Sequence, residues 1–168
     1  MDVNKFWELI ETSRKKGKKD LERQTEILVK ELSKLSIEEI YQFDNILKRH
    51  LIDSYNSELW AAAYIINGGC SDDGFEYFRG WLIAQGRKTY ENALNDPQSL
   101  AKIVSDDEAG EAEFEDILYV CSDAYSLKTS GTDDFNNNEE QAHYPEIEIN
   151  WDDDSLETMF PKLVKKFW

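Results

Sequence analysis

Between Asn67 and Gly86 the chain gathers the residue types that chemistry needs. A bend, Asn67-Gly68-Gly69, leads through Cys70 and Ser71 into Asp72, Asp73, Glu76, Arg79 and Trp81. On a helix, Asp72, Glu76 and Arg79 are separated by four and three residues and so share a face. Two carboxylates in a first turn, a third one turn later and a guanidinium beyond it would supply acid–base groups and an anion clamp. Tyr77 and Trp81 would add rings on which a guanidinium stacks. Asp72, Asp73, Glu76, Arg79 and Trp81 are therefore the candidate ligand-binding residues. A plainer reading is favoured by the same spacing. In it Asp72 caps a helix, Gly68 and Gly69 make a turn, and the aromatics are core. Glu76 and Arg79 then form a solvated pair worth only ~0.2–0.5 kcal/mol.

Cys70 precedes a helix start, where a thiolate is stabilised. A cysteine nucleophile also needs a base, and the histidines are His50, on a different helix, and His143, in a loop-like stretch. A buried structural role is expected instead, and the two cysteines, Cys70 and Cys121, are expected to be unbridged. There is no Cys-x-x-Cys or His-x-x-x-His spacing, so structural zinc is not expected. The clusters Asp106-Asp107-Glu108 and Asp152-Asp153-Asp154 lack the spaced loop of a calcium hand. No phosphate loop, nucleophile–histidine–acid order or dinucleotide glycine pattern is present. No metal, no cofactor and no catalytic set is expected, and the reading leans away from an enzyme.

The elements that must position these residues are helical. Val3 to Lys16 places Phe6, Leu9 and Ile10 on one face, with Trp7 beside them; Lys15 to Lys19 reads as a solvated turn. Asp20 can cap a second helix with Leu21, Leu28, Leu32 and Leu35 inward. Ser36 and Glu39 fit a capping box opening a third helix with Ile40, Phe43, Leu47 and Leu51 inward. Leu59 to Ile66 is apolar all round, so it is expected to be the central helix. A fifth helix carries Phe75, Phe78, Leu82 and Ile83, a sixth runs from Arg87 to Leu94, and Pro97 opens a short turn. A further helix is expected from about Glu111 to Tyr125. Lys128 to Ala142, almost without apolar residues, reads as a mobile loop. Glu146 to Ile149 alternates like a strand, but one short strand makes no sheet. Leu156 to Phe160 and Pro161 to Phe167 form a last helical pair.

The chain has 168 residues and a net charge of −16, with 40% hydrophobic and 12% aromatic residues. That length suits one domain, and the apolar supply excludes a disordered acidic chain. Residues 1–102 are nearly balanced at −2, 103–161 carry −17, and 162–168 carry +3. Such acidity disfavours direct binding to nucleic acid or to an anionic membrane and favours a basic partner. No apolar run is long enough for a membrane span. The first residues lack a signal-peptide layout, so a cytoplasmic location is expected.

Three segments, Phe6-Trp7-Glu8-Leu9-Ile10, Leu59-Trp60-Ala61-Ala62-Ala63-Tyr64 and the block from Asn67 to Gly86, resemble the bacterial DUF4240 family over roughly residues 1–128. That family is a domain of unknown function, so the resemblance implies no activity, cofactor or catalytic residue. The expected architecture is all-α: one irregular domain over 1–168, with six to eight helices and at most one short strand pair. Residues 1–128 are its family-like core, and 129–168 an acidic loop and C-terminal helical segment. The favoured function is a non-catalytic acidic protein-interaction module, immunity-like or regulator-like. One alternative is an enzyme or an anion or small-ligand binder using Cys70 to Arg79. Another is a homo-oligomer subunit whose interface includes Phe160, Leu163, Val164, Phe167 and Trp168.

Overall fold

The computed structural model describes residues 1–131, 134–136 and 143–168. Among them lie nine α-helices: α1 (Val3–Gly17), α2 (Leu21–Leu32), α3 (Ile37–Asp53), α4 (Ser57–Asn67), α5 (Asp72–Ala84), α6 (Arg87–Asn95), α7 (Val120–Lys128), α8 (Asp153–Met159) and α9 (Pro161–Phe167). Two 3-10 segments, Pro97–Lys102 and Asp116–Leu118, complete the set. The fold is all-α, with no strand among the described residues and one helix more than the upper expectation. The C-terminal pair forms two short helices, divided at Phe160 and Pro161 as expected. The expected mobile loop falls largely on residues 132, 133 and 137–142, which lie outside the described residues. Glu146 to Ile149 has no regular structure.

Local chemistry explains most boundaries. Asp20 accepts a hydrogen bond from the Arg23 amide and opens α2. Ser36 and Glu39 close the expected capping box on α3. Gly68, with φ of 68°, ends α4 in the left-handed conformation that glycine tolerates. Asp152 and Ser155 cap α8 reciprocally.

Three expectations need correction. The first concerns the centre of the molecule. It is α5, which packs against α1, α3, α4, α6 and the Asp116–Leu118 turn. The principal neighbours of α4 are α5, α9 and the Pro97–Lys102 segment. The all-round apolarity of α4 is spent partly on the C-terminal segment: Tyr64 meets the rings of Trp151 and Trp168. Leu156, Phe160 and Leu163 of that segment are buried in the common core.

The second correction concerns Asp72. The cap of α5 is Ser71, whose hydroxyl accepts from the Gly74 amide at 3.1 Å. Asp72 and Asp73 sit in the first turn, exposed.

The third concerns the expected helix from Glu111 to Tyr125. Residues 111–114 run without regular structure, and α7 begins only at Val120. Their backbone is taken by other elements. The Asn67 side chain pairs with the N–H and C=O of Ala112, and the Phe114 amide donates to the Tyr77 carbonyl at 2.9 Å. Such tertiary pairing satisfies the backbone groups that a local helix would otherwise satisfy.

Gly80 permits this crossing. A Cβ there would lie 2.7 Å from the Phe114 carbonyl oxygen and 2.8 Å from Ile117 Cγ2. Alanine is the better helix former by ~1 kcal/mol, so Gly80→Ala sets propensity against packing. Overpacking of this kind costs about 1–3 kcal/mol. The expected outcome is a lower melting temperature. A higher one would mean that the 111–117 crossing is not held this close.

Candidate functional site

The predicted residues divide between an exposed acidic face and the interior of α5. Asp72 and Asp73 face water, and Glu76 and Tyr77 are half-buried. The segment after Gly110 brings Glu113 and Glu115 alongside. Glu113 lies so close that a Cβ on Gly74 would sit 3.2 Å from its carboxylate. The electrostatics show how near these groups are. The Tyr77 hydroxyl is pushed up by partial burial, then by Glu115 and Asp73. Tyr119, 52% exposed, is pushed up by Glu115, to which it donates a hydrogen bond at 3.3 Å, and to a lesser extent by Glu76. Among the described residues, Asp72, Asp73, Glu76, Glu113 and Glu115 have no ion-pair partner. Glu113 and Glu115 were not singled out in the sequence, because a helix from Glu111 would have carried them elsewhere.

Not all the acid joins this face. Glu108, within the field of Lys19 and Arg14, caps the Ser105 amide at 3.0 Å. Asp153 acts on Tyr64 of α4.

Arg79 does not make the expected solvated pair with Glu76. It is 2% exposed. Its Nη1 donates to the Leu51 carbonyl at 2.6 Å and its Nε to the Phe75 carbonyl at 3.2 Å. The guanidinium carbon lies 5.0, 4.8 and 4.8 Å from the ring centres of Tyr55, Phe75 and Tyr144. Among the described residues no carboxylate pairs with it. Tyr144, from the C-terminal segment 143–151, also donates to Glu76 at 3.0 Å. Beside Tyr144 is a cavity of about 190 Å3 between α3 and α5, with Asp44, Lys48, Leu51, Glu76 and Leu118 on its walls. Trp81, 1% exposed, stacks on Phe78 in the core and does not join the charged group. Tyr144 was not legible as a partner for Arg79, since 65 positions separate them and no local pattern links them.

Cys70 is unsuited to nucleophilic work. Burial, then Glu113, pushes its thiol up to about 12, leaving almost no thiolate at neutral pH. Cys121 is also unbridged, and burial pushes its thiol well up. His50 stands among Phe6, Trp7 and Tyr90. Both of its ring nitrogens are buried without a hydrogen-bond partner. Among the described residues no group of three or more His, Cys, Asp or Glu is placed to hold a metal ion. No described helix is long and apolar enough to cross a membrane.

The molecule is thus an irregular all-helical protein with an arginine caged at its centre and an acidic face on the same helix. Residues 1–127 match the family described as "Protein of unknown function (DUF4240)". The chain belongs to that family. No curated protein and no solved structure matches it.

His50 yields a pH prediction. Burial holds its pKa below 6.5, with Arg87 adding to the depression and Asp53 and Glu91 opposing it. The unfolded chain therefore binds a proton first. The stability this group contributes is complete above about pH 6.5 and is lost as pH falls through the lower folded value. Glu31, held down by Lys34 and Lys16, and Glu39, held down by Ser36, act only below the usual carboxylate value of 4.5. Melting temperature should therefore fall between pH 7 and 5.5, and His50→Phe should flatten that decline. An equal decline in both proteins would refute the assignment.

Proposed function

We propose that this protein is a non-catalytic interaction module that docks a basic protein partner through the acidic face of α5. The observation that carries the reading is the group of five carboxylates, Asp72, Asp73, Glu76, Glu113 and Glu115, gathered from two segments with no ion-pair partner among the described residues. Like charges held together cost stability, and a cationic partner would relieve that cost. Tyr77 and Tyr119 stand within the same field. Tyrosine supplies large contact area with a polar tip and is enriched in the cores of protein interfaces. The raised thiol of Cys70 also supports a binding role over a catalytic one. Of the residues of the homo-oligomer alternative, Phe160 and Leu163 are buried within the chain, Val164 and Phe167 are half-buried, and Trp168 is 55% exposed.

Electrostatic docking of this kind is screened by salt, with a Debye length of ~10 Å at 0.1 M. The test compares wild type with the triple variant Asp73→Asn, Glu113→Gln, Glu115→Gln in pull-downs from the native host. Wild type should retain a basic protein at low salt and release most of it by about 0.3 M. The triple variant should retain at least tenfold less, with its melting temperature not lowered. Retention that ignores both salt and the substitutions would sink the reading.

A further inference from the structure

The contacts of Tyr144 point to a second site, beneath the C-terminal segment. Arg79 is a permanent cation, since its guanidinium does not lose its proton in a protein. It is almost fully buried, and among the described residues no carboxylate pairs with it. Two of the rings that cage it, Tyr55 and Phe75, lie within the family region, as do Glu76 and the other cavity walls. The third ring, Tyr144, lies outside that region, in the extension that folds back over the cleft. Its ring faces the guanidinium at 4.8 Å and the Tyr55 ring at 4.8 Å, and its hydroxyl donates to Glu76 at 3.0 Å.

This set of contacts reads a hydroxyphenyl group. A cation attracts the face of the ring, a neighbouring aromatic packs against it, and a carboxylate accepts from the phenol. Among the described residues, Lys48, Glu76 and Asp44 on the cavity walls and Arg79 beneath Tyr144 make two cations against two carboxylates. A neutral phenol suits the cleft better than a bare anion. The hold on Tyr144 is also local. Among the described residues no backbone hydrogen bond ties 143–149 to the rest of the chain. The nearest anchors are Asn150, bonded to Ser57, and Trp151, which donates to the Ser57 carbonyl at 2.9 Å.

We propose that the cleft between α3 and α5 over Arg79 is a binding site for a small phenolic molecule, and that Tyr144 is its displaceable intrachain occupant. A ligand presenting a hydroxyphenyl ring takes the place of the Tyr144 side chain. The 143–149 segment then swings out on the anchor at Asn150 and Trp151. The cavity beside Tyr144 gives room for entry before the tyrosine leaves.

The test uses the full chain with p-cresol as the probe and toluene as the control of equal shape without the hydroxyl. In wild type, p-cresol should move the Tyr144 ring resonances to the positions of a solvent-exposed tyrosine while the backbone resonances of α5 keep their dispersion; toluene should not. Tyr144→Phe keeps the packing but loses the hydrogen bond to Glu76, so release should need about tenfold less p-cresol. In Tyr144→Ala, p-cresol should bind at least tenfold more tightly than toluene, and Glu76→Met added to that variant should abolish the difference. Equal binding of p-cresol and toluene to Tyr144→Ala would reveal only a hole left by a ring and would overturn the proposal. So would Tyr144 ring resonances in wild type that stay unmoved at saturating p-cresol.

Discussion

The last turn of α3 is the joint on which the structure depends. A helix leaves its final carbonyls without intrahelical donors, and here side chains from three places meet them. Arg79 of α5 donates to Leu51, Tyr90 of α6 donates to His50 at 2.7 Å, and Ser54 reaches both carbonyls. The arrangement also addresses the main electrostatic difficulty of the fold, a guanidinium buried without a carboxylate. Stripping a charge of water costs several kcal/mol even after relaxation. The C-terminal end of a helix carries roughly half a negative charge, and it points at Arg79. Together with the faces of three rings, that partial charge stands in for the missing counter-ion. Moving α5 relative to α3 would strip this compensation, so the two helices are fixed with respect to each other.

From that joint the remaining packing follows in order. Fixing α5 fixes Gly80, and Gly80 decides where the segment around Phe114 crosses. That crossing brings Glu113 and Glu115 beside Asp72 and Asp73. The acidic face is therefore a consequence of the same central helix that buries the arginine: the first turns of α5 carry Asp73 and Tyr77 toward the surface, and the later turns bury Arg79 and Trp81. The C-terminal extension completes the exterior. Its rings cover aromatic groups of the family region, Trp151 and Trp168 on Tyr64, Tyr144 on Tyr55, and Phe135 between Tyr41 and Tyr125.

Period and capping chemistry made much of this legible from the sequence. Ile40, Phe43, Leu47 and Leu51 are spaced for a buried stripe and are buried. Asp20, Ser36 and Asp152 are caps because their short polar side chains reach the amides three residues on. What could not be read was whatever depends on distant partners. Arg79 sits at helical spacing from Glu76, which suggests a surface pair. Only the tertiary meeting with Leu51, 28 positions away, makes burial tolerable. The 111–114 segment has an acceptable helical pattern, but its backbone finds better-placed partners on Asn67 and Tyr77. The choice of α4 as the centre failed for a related reason. Apolarity says that a surface is covered, not which element covers it, and on α4 part of the cover comes from Trp151 and Trp168, nearly a hundred positions later.

The separation of the two candidate regions bears on how such a protein can work. An exposed acidic face and a caged arginine on one helix do not neutralise each other, because the ring of Tyr144 and the half-buried Glu76 stand between them. Glu76 belongs to both: it lies in the field that raises Tyr119 and it accepts from Tyr144. Removing the Tyr144 hydroxyl would leave the Glu76 carboxylate with one fewer donor and therefore more strongly committed to the outer cluster. A cation arriving on the acidic face would draw the same carboxylate outward and loosen its hold on the tyrosine. The two regions share one side chain that cannot fully serve both, so a ligand at either would bear on the other through Glu76 without any movement of α5.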